Sequence, residues 1–252
     1  MKTDTGDVCR ITPELSVREL VVHYPRLRAV LEELGIDYCC GGQHTLLEAA
    51  HHAKRPWPEV FAALENGRTR AAPGPAARNW SLEPLDKLAD HIQAVHHRFT
   101  REQLQRLDGL LKKVFRAHHS SHGVMLTGLR QVFGCLSEEL LPHLDQEEQV
   151  LFPAVKKIFA PPPGSTAGLD IPLGMLEQLI QQMMLEHESA GRALSELRRM
   201  SNNYLLPPDA CPTFAALFEA LPALEADLHE HIHLENNILF PGGLEREAAL
   251  AR

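Results

Sequence analysis

The sequence predicts an all-α protein, with a small N-terminal helical domain joined by a linker to a four-helix bundle. Three observations carry this. Apolar residues recur at steps of three and four along four long stretches, which is the signature of amphipathic helices. Only 6% of the 252 residues are aromatic, while Leu and Ala are frequent. The stretches are separated by short runs of Pro, Gly and Ser rather than by strand-like alternation. A chain of this length buries a sizeable core.

The elements follow in order. Ser16-Val17-Arg18-Glu19 is a capping box that opens a short helix, and a second runs from Pro25 to Gly35. The loop Asp37-Tyr38-Cys39-Cys40-Gly41-Gly42 follows, then an apolar stretch at 45–50 and a helix near 58–64. Residues 67–80 lack apolar periodicity and carry Pro and Gly, so they read as a linker between domains at 1–66 and 81–246. The long helices are predicted at 82–119, 124–159, 173–201 and 213–240, broken by Ser120–Gly123, by Ala160–Gly164 and by Leu206-Pro207-Pro208. Pro153 is expected to kink its helix, and Pro241-Gly242-Gly243 to end one.

Two near-copies lie inside this pattern, HLDQEEQVLFP at 143–153 and HIHLENNILFP at 231–241. Residues four apart stack on one helix face, so His143 is aimed with Glu147 and His231 with Glu235. All four occupy apolar-stripe positions: Leu136, Leu140, His143, Glu147, Val150 in one copy, and Leu224, Leu228, His231, Glu235, Ile238 in the other. A carboxylate in a core is costly unless it is paired or bound to a metal. A local His–Glu hydrogen bond at a wet helix end would have to arise twice with one spacing. His187 also replaces a stripe residue, without a companion Glu because position 191 is Gly. In the first long helix the upstream stripe favours His96 and the downstream stripe His97. Taking His97, the four histidines are spaced by 46, 44 and 44 residues, as suits antiparallel helices with ligands meeting at one level.

Four His and two Glu form a set in which two carboxylates bridge two metals and two His cap each. Imidazole with carboxylate, and no cysteine, argues against copper(I) or a purely structural zinc and for a non-haem di-iron centre. The Leu-Phe steps at 151–152 and 239–240 read as core plugs beneath it.

Composition excludes other classes. The net charge is −8 with no basic cluster, which argues against nucleic acid as a partner. No N-terminal apolar run suggests a signal peptide or membrane span, and five cysteines, two of them adjacent, make a poor disulfide framework. A cytoplasmic, reduced setting is expected. Cys39 and Cys40 are read as a functional pair with exposed, acidified thiols. Cys9, Cys135 and Cys211 are read as incidental or buried, His118, His119 and His122 as a wet helix end, and His229 and His233 as solvent-facing.

The Asp37–Gly42 motif, joined to a bundle that ends His231-x-x-x-Glu235-Asn236-Asn237-x-Leu239-Phe240-Pro241, resembles the repair-of-iron-centres family (the YtfE/ScdA type) over nearly the whole chain. That resemblance implies a haemerythrin-like bundle holding two iron ions as a carboxylate-bridged centre, induced by nitrosative and oxidative stress. It assigns the ligands to His97, His143, Glu147, His187, His231 and Glu235, settling His97 over His96 through Asp90-His91-Ile92 upstream. It places the paired cysteines on Cys39 and Cys40, and places acidic groups near the metals at Glu139 and Glu186. The function it implies is repair of damaged iron–sulfur clusters by iron donation. The partners would be damaged iron–sulfur proteins or scaffold proteins, with a homodimer left open. An enzyme that reduces nitric oxide, or a sensor of nitric oxide or dioxygen, is the competing reading.

Overall fold

The structure is a computed structural model that describes residues 10–69, 78–159 and 174–250. Every regular element among the described residues is helical. The chain forms two compact units, one reaching to Glu83 and taking in Asn236–Ile238, the other comprising Pro84–Glu235 and the residues from Leu239 onward.

In the first unit, α1 (Val17–His23) begins on Ser16, whose Oγ accepts from the Glu19 N–H while the Glu19 carboxylate accepts from the Ser16 N–H. α2 (Leu27–Leu34) ends on Gly35 at φ +71°, a left-handed turn that favours glycine. α3 (Leu46–His52) repeats the capping box with Thr45 and Glu48. The two caps are stitched together by an isolated antiparallel bridge between Ser16 and Thr45.

α4 runs Trp57–Thr69, longer than the stretch expected at 58–64, so the linker assigned to 67–80 opens as helix. Gly67 belongs to that helix for a packing reason. A Cβ there would lie 2.7 Å from a Val30 methyl and 2.9 Å from a Leu27 methyl, both on α2. Residues 70–77 of the linker lie outside the described residues. Trp80–Leu82 form one 3₁₀ turn, with the Arg78 guanidinium 4.2 Å from the Trp80 ring centre.

In the second unit, the first long helix is α5 (Leu85–His91), a π turn (Ile92–His97) and the first arm of α6 (Arg98–Gln146). The break expected at 120–123 is a reversal within α6 at His122, whose φ −125° and ψ 21° leave the helical region. The second arm returns antiparallel: Arg101 donates to Asp145 at 2.7 Å, and the Arg130 guanidinium sits over Phe115. It continues through a second π turn (Glu147–Leu151) into α7 (Phe152–Phe159). α8 (Met175–Met200) and α9 (Pro212–Leu234) both pack along α6. α9 passes through a third π turn (Glu235–Leu239) into α10 (Phe240–Leu250). The start expected for the third helix at 173, and the break at 160–164, lie outside the described residues.

Leu107, Leu111, Leu126, Leu129, Leu136, Leu194, Leu217, Phe214 and Leu224 belong to the core of the bundle, all buried. Arg198 closes its flank by a two-pronged hydrogen bond to the buried Glu225 carboxylate, at 3.0 and 2.7 Å. Among the described residues no helix is long and apolar enough to cross a membrane.

Candidate metal centre

The three π turns determine where the site's side chains point. A π turn adds one residue to the helical ladder and rotates everything after it by about 100° relative to an unbroken α-helix. The first ends on His97, and the others begin on Glu147 and Glu235. The N–H groups of Phe152 and Phe240 reach back five residues to the carbonyls of Glu147 and Glu235. Pro153 and Pro241 come directly after, at the second position of the new helix, where a missing N–H costs little. Pro153 therefore does not kink α7, and Pro241-Gly242-Gly243 does not end a helix but enters α10. The inserted residue also moves the apolar stripe: Leu151 and Leu239 are buried, whereas Val150 is exposed and Ile238 half-buried. His233, expected in solvent, is buried, and His229 is half-buried.

Six side chains converge, all at 4% exposure or less: His97, His143, Glu147, His187, His231 and Glu235. Glu147 points Oε2 at His97 Nε2 (3.3 Å) and Oε1 at His143 Nε2 (3.3 Å). Glu235 points Oε2 at His187 Nε2 (3.2 Å) and Oε1 at His231 Nε2 (3.2 Å). The Nε2 atoms of His143 and His187 are 3.2 Å apart. Two groups of possible ligands result, His97/Glu147/His231/Glu235 and His143/Glu147/His187/Glu235, which share both carboxylates. Two donors on one ion at bond lengths near 2.1 Å stand roughly 3.0–3.4 Å apart, and the 3.2–3.3 Å separations match that edge.

The donor set fits metal chemistry in a second way. His97 Nε2, His231 Nε2 and all four oxygens of Glu147 and Glu235 are buried without a hydrogen-bond partner. Buried polar atoms left so are costly unless an ion satisfies them. The electrostatics agree. Burial pulls the His143 imidazole down, but the Glu147 carboxylate outweighs it and lifts the group to about 9. Burial pushes Glu235 up, yet His231 and His187 bring it well below the usual carboxylate range. The carboxylates are thus held ionised, as carboxylate ligands must be, whereas an imidazole has to give up its proton before it can bind an ion. Phe152 and Phe240 wall it off, with ring centres 5.3 Å from His97 and 5.9 Å from His187.

Groups behind the histidines of the cluster fix their ring orientation. His97 Nδ1–H donates to Glu148 at 2.8 Å, and Arg101 donates to the same carboxylate at 3.2 Å. His143 Nδ1–H donates to Glu186 at 2.7 Å, itself held by Gln182. His96 turns away to Asp227 at 3.0 Å and stacks on His231. The structure brings Glu186 to the cluster but not Glu139, which is exposed and accepts from Ser189 Oγ at 2.9 Å. One turn of α6 separates Glu139 from His143, but its side chain leans outward. Glu148 and Asp227 carry no stripe or motif signal and escape a sequence reading. Glu186→Gln is expected to weaken metal affinity roughly 10–100-fold. Glu139→Gln should change it by no more than about twofold, the scale of an ordinary surface substitution. Competition against a chelator measures both, and equal losses would contradict the assignment.

In the first unit, Asp37 Oδ1 accepts from the N–H groups of Cys39 (3.0 Å) and Cys40 (2.9 Å), which shapes the turn. The two Sγ atoms are 3.9 Å apart with no disulfide between them, and with Asp37 they form a further group of three possible ligands. Cys39 is buried and Cys40 half-buried. The Cys40 thiol, burial and the Asp37 carboxylate raise the Cys39 thiol well above the ordinary range, which reverses the expected acidification. Cys135 is exposed, Cys211 half-buried, and Cys9 lies outside the described residues.

A helical bundle whose buried His/Glu cluster is built on π turns, with both carboxylates shared, defines a haemerythrin-type metal-binding protein. Residues 88–242 match the family described as Hemerythrin HHE cation binding domain, and residues 14–67 match ScdA_N, a Domain of Unknown function (DUF542). The chain is 36% identical over 229 residues to the iron-sulfur cluster repair protein YtfE of Escherichia coli O81 (strain ED1a), covering 91% of this chain and 96% of that protein. Identity to the protein of the same name from Escherichia fergusonii is 35% over the same share of each. The chain belongs to the repair-of-iron-centres family of the YtfE/ScdA type.

Proposed function

We propose that this protein holds two iron ions, bridged by Glu147 and Glu235, and repairs iron–sulfur clusters damaged by nitrosative or oxidative stress by donating iron in the cytoplasm. The observation that carries the di-iron part is the sharing of both carboxylates between two His-capped ligand groups. His97 and His231 would cap one ion, and His143 and His187 the other. The repair part rests on relatives that carry this name and match nearly the full chain.

Iron is the cargo in this reading, and the residues are suited to holding it reversibly. All six donors are nitrogen or oxygen, and none is a thiolate that would bind iron tightly and resist release. Glu148 and Glu186 stand one behind each ligand pair, half-exposed, and link the sealed cluster to solvent through His97 and His143. The recipients would be damaged iron–sulfur proteins or their scaffolds, which would meet the thiol pair at Cys40, half-buried beside the buried Cys39. Where dioxygen or nitric oxide reaches the bound irons, the metals supply the redox chemistry.

The test is transfer of isotopically labelled iron. Protein loaded with labelled iron is mixed anaerobically with a nitric-oxide-damaged [4Fe–4S] enzyme. Label appearing in the restored cluster, with loss of about one iron or more from the donor, is the expected result. Repeated turnover of nitric oxide with all label retained would establish the enzyme reading instead.

A further inference from the structure

We propose that the end of the bundle remote from the His/Glu centre carries a separate mononuclear zinc site, formed by His118, His122, Asp209 and Cys211. His118 lies 21 residues beyond His97 on the same helix, about 30 Å along its axis at 1.5 Å per residue, so the two sites share no ligand.

The geometry starts from the reversal of α6. His122 leaves helical φ/ψ, and its Nε2 stands 2.9 and 3.0 Å from the two Asp209 carboxylate oxygens. One ligand atom each from His118, His122 and Asp209 falls within 4.8 Å of the others. His118 and His122 are four apart, a spacing that stacks two imidazoles on one helix face. The buried Phe214 ring backs both of them, at 5.2 and 5.6 Å between ring centres, which limits how far either can swing.

The Cys211 thiol lies against the His118 ring and the first amides of α9, those of Phe214 and Thr213. The metal reading itself stands on the placement of His118, His122 and Asp209, with Cys211 next to His118 as the fourth donor. Two come from the turn of α6 and two from the connection between α8 and α9, so an ion held by all four would clamp two loops together.

That connection is stiff. Asn202, Asn203 and Tyr204 all take left-handed φ (51°, 56° and 57°), and the Ser201 hydroxyl accepts from the Tyr204 N–H. Pro207, Pro208 and Pro212 fix φ on both sides of Asp209. The Ala210 N–H donates to the Pro207 carbonyl at 3.1 Å, making the turn that presents Asp209 and Cys211. A preformed, stiff ligand loop lowers the ordering cost of binding an ion.

The donor set decides the ion. Two imidazoles, one carboxylate and one thiolate are a borderline-soft, four-member set that suits tetrahedral Zn²⁺, whereas the His/Glu centre has no sulfur. The competing view is a plain His122–Asp209 hydrogen bond at the surface.

The experiment uses full-length protein with its bundle centre already filled with iron. It is equilibrated with zinc, passed through a desalting column and analysed for both metals. About one zinc per chain, with iron content unchanged, is expected from four ligands on one ion. His122→Ala and Asp209→Ala should each weaken zinc binding by at least the roughly 10–100-fold that loss of a supporting partner costs a metal site. Both positions are at the surface or half-exposed, and unchanged iron content shows that the variants are folded. Zinc should raise the melting temperature of the wild type and not of Asp209→Ala. Co²⁺ in place of zinc should give a near-ultraviolet thiolate-to-cobalt band that Cys211→Ser abolishes. Zinc retention that is absent in the wild type, or equal in the wild type and the His122→Ala/Asp209→Ala double variant, would overturn the site. A cobalt band that survives in Cys211→Ser would remove Cys211 from it.

Discussion

Glu147→Ala is expected to lower the affinity for both metal ions, whereas His187→Ala lowers that for one. Glu147 Oε2 stands by His97 and Oε1 by His143, so one side chain serves both ligand groups. Deleting it takes an oxygen from each and leaves three protein ligands apiece. Glu235→Ala should behave alike, because its oxygens divide between His187 and His231 in the same way. Glu147→Gln is the discriminating variant. Gln keeps the shape but offers one acceptor oxygen, while its NH₂ group can only donate. It should therefore serve one group and repel a cation from the other. Metal analysis after desalting should give about two ions per chain for wild type, close to none for Glu147→Ala and about one for Glu147→Gln, following the two shared groups. Two ions retained in Glu147→Ala would show that the carboxylate is not shared.

Phe240→Ala should cost about 3–5 kcal/mol of stability, the range for removing a fully buried aromatic side chain. For a chain of this size each kcal/mol lowers the melting temperature by roughly 2–4 °C, so a fall of about 6–20 °C follows. Phe240 is fully buried, and its ring lies parallel to His187 within 4°, directly after the π turn that begins on Glu235. The cavity would therefore loosen a ligand as well as the core, and metal retention should fall with stability. Leu82→Ala is the control. Leu82 is 81% exposed and its truncation should stay within about 0.5 kcal/mol. Thermal unfolding of the two variants side by side decides the matter, and a Phe240→Ala loss no greater than that of Leu82→Ala would contradict the packing described.

The apolar periodicity was enough to read four long helices and to place a His/Glu set within their stripes, because each stripe upstream of the site is regular. What it could not show is the π turn. Upstream of Ile92 the stripe points to His96 and downstream of His97 it points to His97, and both readings are correct for their own segment. One inserted residue between them reconciles the two, leaving Val95 exposed and turning His97 into the cluster. The same insertion explains why Val150 and Ile238 were placed in the stripe when Leu151 and Leu239 occupy it. A trace of it is present in the sequence: Pro153 and Pro241 each follow the Glu of the cluster by six residues, where a widened ladder tolerates a missing N–H.

Elsewhere the limits have different physical causes. Capping boxes are local, so Ser16–Glu19 is visible in four residues. The end of α4 was hidden because Gly67 reads as a helix breaker, and only the close approach of α2 explains its place inside the helix. Glu148 and Asp227 act on their histidines across 51 and 131 residues of chain, and periodicity carries no information about such pairs. Glu139 illustrates the converse, since one helical turn from His143 its carboxylate still pairs with Ser189. The acidification expected of Cys39 is reversed because its thiol is buried beside a second thiol and a carboxylate, all of which disfavour a thiolate.

The most direct measurement is X-ray absorption at the iron edge on full-length protein purified without added metal, with iron counted on the same sample. About two irons per chain, nitrogen and oxygen donors only, and an iron–iron vector within about 4 Å, the spacing of two-metal sites, is the result expected if Glu147 and Glu235 bridge the pair. A single iron, zinc in place of iron, or irons with no metal neighbour would contradict it.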